Sequence, residues 1–308
     1  MREFMNLQGA LYGLTAAAIW GGMYVVSDLV LRVIPPFTLL TLRLAIGTAV
    51  LGVLVARSGK LALPRQDVMR LFGVGIVGFG VSLGAQFVGT HLASAINGAV
   101  VTSASPAFIL LFAWLILREK LTPIRIAAVT LATIGVLAIL DLSHFDLGSE
   151  KFLGNLALSF AALTWGLYSV LVRRVSAQYD TLVISFYALI GGLILTIPAA
   201  AIELGSNTIG EITPGVILGI LYLGVISTAL AMVLWNRAFA LVEASVASLF
   251  FFAQPLVGVL LATLLLHQPI TVPLVIGGAL ILGGVLLSLR EGSSVDKVYA
   301  HEVESASS

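Results

Sequence analysis

The sequence predicts an all-α polytopic membrane protein, with ten transmembrane helices arranged as two inverted five-helix repeats. Three observations carry that prediction. Of 308 residues, 59% are hydrophobic and 10% charged. Soluble chains average ~45–50% and ~25%, and a soluble fold has no interior large enough to hide the excess. The apolar stretches are continuous and close to ~20 residues, the length of a spanning helix, and do not alternate as barrel strands do. Finally, residues of the first half return in order in the second. The composition alone excludes soluble enzymes, nucleic-acid-binding proteins and disordered chains. A net charge of +1 implies no charged partner, and the chain has no cysteine, hence no disulfide, thiolate metal site or thiol nucleophile.

The ten runs cover roughly 7–27, 37–56, 68–90, 94–117, 124–140, 152–172, 182–202, 214–236, 244–266 and 272–289. The first is longer than a signal-peptide core and lacks a cleavage pattern, so it counts as a span. Residues 1–140 form the first repeat, 141–151 an outer loop and 152–290 the second repeat. A polar cytoplasmic tail, 291–308, is expected to be disordered. Lys and Arg collect on the cytoplasmic side. With the N-terminus inside, thirteen basic residues fall in cytoplasmic segments, and only Arg32 and Lys151 fall outside. Both termini are therefore expected to be cytoplasmic, in a multi-pass protein of the cell (inner) membrane.

A shift of 145 brings Gly9, Ala16, Ala17, Trp20, Gly21 and Val25 onto Gly154, Ala161, Ala162, Trp165, Gly166 and Val170. A shift of 149 brings Leu92, Ala95, Pro106, Gly135 and Val136 onto Leu241, Ala244, Pro255, Gly284 and Val285. Chance apolar matching gives some of this, but paired Trp-Gly and paired mid-span proline are harder to obtain. Five spans per unit is odd, so the second copy enters the membrane from the opposite side. Inverted repeats are typical of secondary transporters, whose site lies near the midplane between the halves.

These residues carry a resemblance. Ala18-Ile19-Trp20-Gly21 with Leu163-Thr164-Trp165-Gly166, Pro106 with Pro255, Leu42-Arg43, and the join Leu117-Arg118-Glu119-Lys120-Leu121-Thr122-Pro123 before Gly135 are similar to the drug/metabolite transporter superfamily, in its ten-span EamA-type branch. The resemblance covers residues 8–290 and implies transport, with export the commoner direction. Gln268-Pro269 stands where the second repeat would match Glu119, so the last join departs from the pattern.

Trp20 and Trp165 lie ~18–20 Å into their helices, away from the interfacial belt. They either line a cavity for an apolar or aromatic solute, with Tyr24 and Tyr168 beside them, or pack on neighbouring helices. Pro106 and Pro255 each remove a backbone hydrogen bond, freeing the carbonyls of Thr102 and Phe251. A hinge is favoured over simple tolerance because both repeats carry it. Gln86, Asn97, Ser105, Asn236 and Gln254 are polar groups at membrane depth. They orient a solute in an apolar pocket or join helices, and Ser105 and Gln254 directly precede the two prolines. Arg43 is the one charge placed inside a span, ~9 Å from its end. The structural reading has it snorkel to the outer interface or pair with Asp28; the alternative has it hold a solute carboxylate.

Catalysis at membrane depth needs a Ser–His pair, an Asp pair or a metal cluster. No His, Asp or Glu lies in a span core, so an enzyme is not expected, nor a metal or other cofactor. A receptor or assembly factor without transport would not explain the inverted repeat. The missing carboxylate also argues against proton-coupled cation antiport. One arginine is too few for sugar phosphates or nucleotide sugars. The expected partners are the lipid bilayer and a small solute, neutral or zwitterionic: a hydrophobic or aromatic amino acid first, drugs or other amphiphiles second. A monomer suffices.

Overall fold

The helical pattern begins at the first apolar run and continues with short breaks. A computed structural model describes residues 2–59, 62–139 and 149–266, and also 272, 275–280, 283–284 and 287. Among these, α1 (Arg2–Leu31) and α2 (Pro36–Arg57) are followed by α3 (Arg65–Leu92), α4 (Ala95–Leu117) and α5 (Pro123–Ile139). The second half repeats the order with α6 (Glu150–Val175), α7 (Thr181–Leu204), α8 (Pro214–Leu241) and α9 (244–266). Eight of these helices are long and apolar enough to cross a membrane; α5 is shorter. Part of the predicted tenth span, and all of Gln268-Pro269 and the polar tail, lie outside the described residues.

Local chemistry sets the boundaries. Ser149, Asp180 and Thr213 cap α6, α7 and α8, each side chain accepting from a backbone N–H of the first turn. Pro36 and Pro214 stand in the first turn of α2 and α8, where a missing N–H costs nothing. Arg118 adopts a left-handed backbone (φ 57°) and ends α4.

Packing follows the repeat, but the repeats are interleaved. α1 packs chiefly on α8 and α9, and its mate α6 packs on α3 and α4. α2 and α7 pack on each other. Each also lies on a widened, π-helical stretch of the helix beyond: α7 on Ile76–Ser82 of α3, α2 on Tyr222–Leu230 of α8. The two stretches start 146 residues apart, at corresponding places, and such bulges mark functional positions in helices. Two bundles result, one of α1, α2, α8 and α9, the other of α6, α7, α3 and α4. Each draws on both sequence repeats.

Trp-Gly is explained by this packing. A Cβ at Gly21 would stand 2.7 Å from the Gln254 carbonyl oxygen and 2.9 Å from the Gly258 nitrogen. At Gly166 it would stand 2.7 Å from the Phe108 Cβ and 3.0 Å from the Ile109 nitrogen. Ile109 and Gly258 are again mates at 149. Each Trp-bearing helix therefore meets its partner backbone to backbone, just past the proline.

The bundles are joined at both ends. At the end holding the α1–α2 turn, the Glu203 carboxylate accepts from the backbone N–H groups of Phe37 (3.1 Å) and Thr38 (2.8 Å) and from the Thr38 hydroxyl, a favourable anion at a helix N-terminus. At the opposite end Arg125 pairs with Glu243 at 2.7 Å, and Glu119 accepts from the Ala244 backbone N–H. There too, Arg173 donates to the carbonyls of Phe239 and Ala240, which the end of α8 leaves free. The outer surface of the bundle is apolar, with Leu14, Val53, Ile202, Leu218 and Leu264 exposed.

Candidate functional site

Trp20 and Trp165 reach the interface between the bundles from α1 and α6. Their rings meet edge to face, centroids 5.3 Å apart, at the centre of the pseudo-two-fold. Around them lies a cavity lined by Trp20, Met23, Leu83, Gln86, Thr102, Ser105, Ala161, Trp165, Met232, Phe251 and Gln254. The lining comes in repeat mates: Trp20 with Trp165 at 145, Gln86 with Met232 at 146, Thr102 with Phe251 and Ser105 with Gln254 at 149. The space open to the centre of a water-sized sphere is only ≈ 10 Å³, enough for about one water. The lining side chains pack closely around the site in this structure.

The polar groups on the wall differ in how they are occupied. Trp20 Nε1 donates to the Ser227 carbonyl at 3.0 Å. Trp165 Nε1 is buried without a partner among the described residues. The Gln254 amide donates to Thr102 Oγ1 (3.1 Å) and the Ala99 carbonyl. Thr102 gives its own proton to the Gly98 carbonyl. A hydroxyl has one donor, so Tyr24, 2.7 Å away, donates to Thr102. Tyr24 thus stands one layer behind the cavity and stiffens its wall. The Ser105 hydroxyl donates to the Thr102 carbonyl at 2.7 Å. The Gln86 side chain, in the cavity wall, hydrogen-bonds to no described residue.

The prolines sit differently from the expectation of a break within a continuous helix. α4 divides into Ala95–Val101, a tight 3-10 turn Thr102–Ala104 and a new α segment beginning at Ser105. Pro106 is in the first turn of that segment, so no helical bond is lost, and the freed Thr102 carbonyl has Ser105 as its donor. α9 repeats the device, with a 3-10 stretch Ser248–Phe252 before Pro255.

Three residues expected at the site lie elsewhere. Asn97 donates to Asn155 at 2.8 Å and is bonded to Ser94; it links α4 to α6 near their N-terminal ends. Tyr168 donates to Asn236 (3.2 Å), which donates to Ser185 (2.8 Å). This chain lies one turn further along α6 and α8 than the cavity, toward Arg173 and Arg237. Here a second aromatic layer fills the bundle: Trp235 is 5.1 Å from Trp20 and 4.9 Å from Phe239, and Tyr168 is 4.8 Å from Trp165. It closes the cavity at that end.

Arg43 neither snorkels nor pairs with Asp28. It is fully buried, while Asp28 pairs with Arg32 at 2.8 Å. Its guanidinium is held by Thr228 Oγ1 (2.8 Å), Ser227 Oγ (3.2 Å) and Met23 Sδ (3.1 Å) and lies over the Phe87 ring. A membrane arginine costs at least ~2.5–3.5 kcal/mol to insert, and three hydrogen bonds offset part of that cost.

Met23, Trp235, Phe79 and Phe251 were not singled out from sequence. Phe251 and Met232 could have been found as the mates of Thr102 and Gln86. Trp235 faces Gly89 in the repeat alignment and gives no such signal.

The EamA-like transporter family matches residues 7–141 and again 152–290, the two repeats. An uncharacterized transporter of Archaeoglobus fulgidus is 25% identical over 280 residues, covering 88% of this chain and 95% of its own. The Bacillus subtilis transporter YetK is 28% identical over 302 residues, covering 96% and 91%. A solved structure, 23% identical in sequence, superposes with a TM-score of 0.74 over 93% of this chain and 98% of its own, so the fold is shared. Two matched halves, and among the described residues an all-helical bundle with eight helices fit to cross a membrane, have one reading: the chain belongs to the EamA-like transporter family, within the drug/metabolite transporter superfamily, and is a multi-pass membrane transporter, not an enzyme.

Proposed function

We propose that this transporter moves a small neutral or zwitterionic solute with an apolar or aromatic part, a hydrophobic or aromatic amino acid foremost, by alternating access and in the direction of export. The observation that carries the reading is the cavity at the pseudo-two-fold centre. Its walls are aromatic and aliphatic, with two groups, the Gln86 amide and the Trp165 indole N–H, that bond to no described residue. A few polar groups on an apolar wall suit an amphipathic solute. In this reading Trp20, Trp165, Gln86, Ser105 and Gln254 contact the solute, and Tyr24 holds the wall.

The closed cavity opens as the bundles rock, Pro106 and Pro255 marking the hinges. The full chain has ten spans: a first repeat 1–140, an outer loop 141–151, an inverted second repeat 152–290 and a tail 291–308. Both termini are cytoplasmic, as the charge of the loops favours. The Arg125–Glu243 and Arg173 contacts then close the cytoplasmic side, and the Glu203 contacts brace the outer one.

The test is transport of labelled amino acids, amines and sugars into liposomes containing only this protein, with and without a pH gradient. Saturable uptake of apolar amino acids above that of sugars is expected. Preference for sugars, or uptake of nothing in the panel, would reject the reading.

A further inference from the structure

Arg43 is a buried cation with no anionic partner among the described residues. Among the described residues no Asp or Glu bonds to it, and the only titratable groups it interacts with are the phenols of Tyr24 and Tyr222. Its three hydrogen-bond partners are all neutral, and one is a thioether, a weak acceptor for a charged donor. That thioether belongs to Met23, which lines the cavity. Ser227, which takes Nη2, also offers its carbonyl to Trp20 on the cavity wall. One unbranched, adaptable side chain therefore separates the guanidinium from the site.

We propose that Arg43 is the anion subsite of the cavity, taking the carboxylate of the solute once Met23 swings off Nη1. The inference rests on the transport reading above and narrows it to solutes carrying one carboxylate and an apolar body. The charge count selects that class. A single carboxylate neutralises a single guanidinium where charge is costly, and the planar fork suits two oxygens. A phosphate monoester would bring a second negative charge that no other described cation meets. The subsite also breaks the pseudo-symmetry: the mate of Arg43 is Ala188, whose backbone lies against Gly75. A solute would therefore bind in one orientation, its charged end toward α2 and its apolar body between the tryptophans.

The experiment measures equilibrium binding of three probes to the purified full chain, and their transport in liposomes: phenylalanine, 3-phenylpropanoate, and phenethylamine, which lacks the carboxylate. Wild type should bind both acids at least about tenfold more tightly than the amine, as hydrogen bonds to charged groups imply. Arg43→Gln should erase that ratio, Arg43→Lys should keep part of it, and Met23→Leu, which frees Nη1, should keep or raise it. Equal binding of acid and amine by wild type overturns the subsite, as does an unchanged ratio in folded Arg43→Gln. Should Arg43→Gln not fold, the wild-type ratio and the Met23→Leu ratio decide, a fall in the latter overturning the proposal. Transport without acid preference removes the subsite and leaves the transport reading; acid-selective binding without transport does the reverse.

Discussion

The paired Gly21 and Gly166 contacts make a quantitative prediction. Replacing either by alanine inserts one methyl at a backbone-to-backbone contact. At Gly21 the new carbon meets the Gln254 oxygen at 2.7 Å and the Gly258 nitrogen at 2.9 Å; at Gly166 it meets the Ile109 nitrogen at 3.0 Å. Backbone atoms cannot rotate aside as a side chain can, so the helices must separate by several tenths of an ångström. Overpacking of this kind costs ~1–3 kcal/mol. Against it stands the ~1 kcal/mol that alanine gains over glycine within a helix. The net expectation is a loss of up to about 2 kcal/mol at each site, similar in size because the two sites are mates. Gly73 supplies the control: it is exposed on α3, a Cβ there meets nothing within 4 Å, and alanine should be neutral or stabilising. Thermal unfolding of the three variants in one detergent reads the comparison. If Gly21→Ala and Gly166→Ala melt with Gly73→Ala, or if only one of the pair is destabilised, the symmetric backbone contact is not what holds the bundles.

Orientation is read by single cysteines at Ser206 and Ser293 in this cysteine-free chain: an impermeant thiol reagent on intact cells should label the first and spare the second, and the reverse pattern refutes the topology. Pro106→Ala and Pro255→Ala should slow transport with solute affinity little changed; affinity lost in step with rate would make the prolines wall-shaping residues instead of hinges. Trp20→Phe gives up the bond to the Ser227 carbonyl and should cost ~0.5–1.5 kcal/mol of stability. Trp165→Phe removes an N–H that has no partner among the described residues, so stability should hold while acceptor-bearing solutes bind more weakly. Equal thermal losses in the two variants would contradict that division of roles.

The helices were legible because lipid asks one simple thing of a sequence, a continuous apolar run. Trp20, Trp165, Ser105 and Gln254 could be placed together because the repeat showed them twice or beside a repeated proline. Gln86 was found only as a polar residue at depth. The same criterion also selected Asn97, Asn155's partner near the N-terminal ends of α4 and α6, since depth says nothing about which way a side chain points. Arg43 shows the limit most clearly. Its distance from the helix end allowed a snorkelling side chain, but Gly224 and Thr228 of the π-helical stretch pack closely on α2 at Ile46 and Gly47. Thr228 bonds the Leu223 carbonyl five residues back and turns its hydroxyl oxygen to Arg43. A bulge in α8 decides the course of a side chain on α2, and no local pattern in either segment announces it.

The interleaving of the repeats bears on how such a molecule can move. Were each repeat its own bundle, the two could slide past one another without changing internally, and the hinges would have to lie in the loop between them. Here each bundle contains helices of both repeats, so motion between the bundles must cross the polypeptide inside each repeat. The α2–α3 and α3–α4 joins sit differently in this respect: α2 belongs with α1, while α3 and α4 belong with α6 and α7. In the proposed rocking motion the chain would bend between α2 and α3, and again between α7 and α8 in the mate, with the breaks at Pro106 and Pro255 letting α4 and α9 adjust within their own bundles. The α2–α7 contact lies at the boundary of the two bundles, and both helices rest on π-helical stretches, a geometry frequent at functional sites. The one arginine of the core reaches from α2 to that stretch of α8. It lies where solute occupancy and bundle position would be felt together, and its neutral, weakly bonded surroundings leave room for either to change.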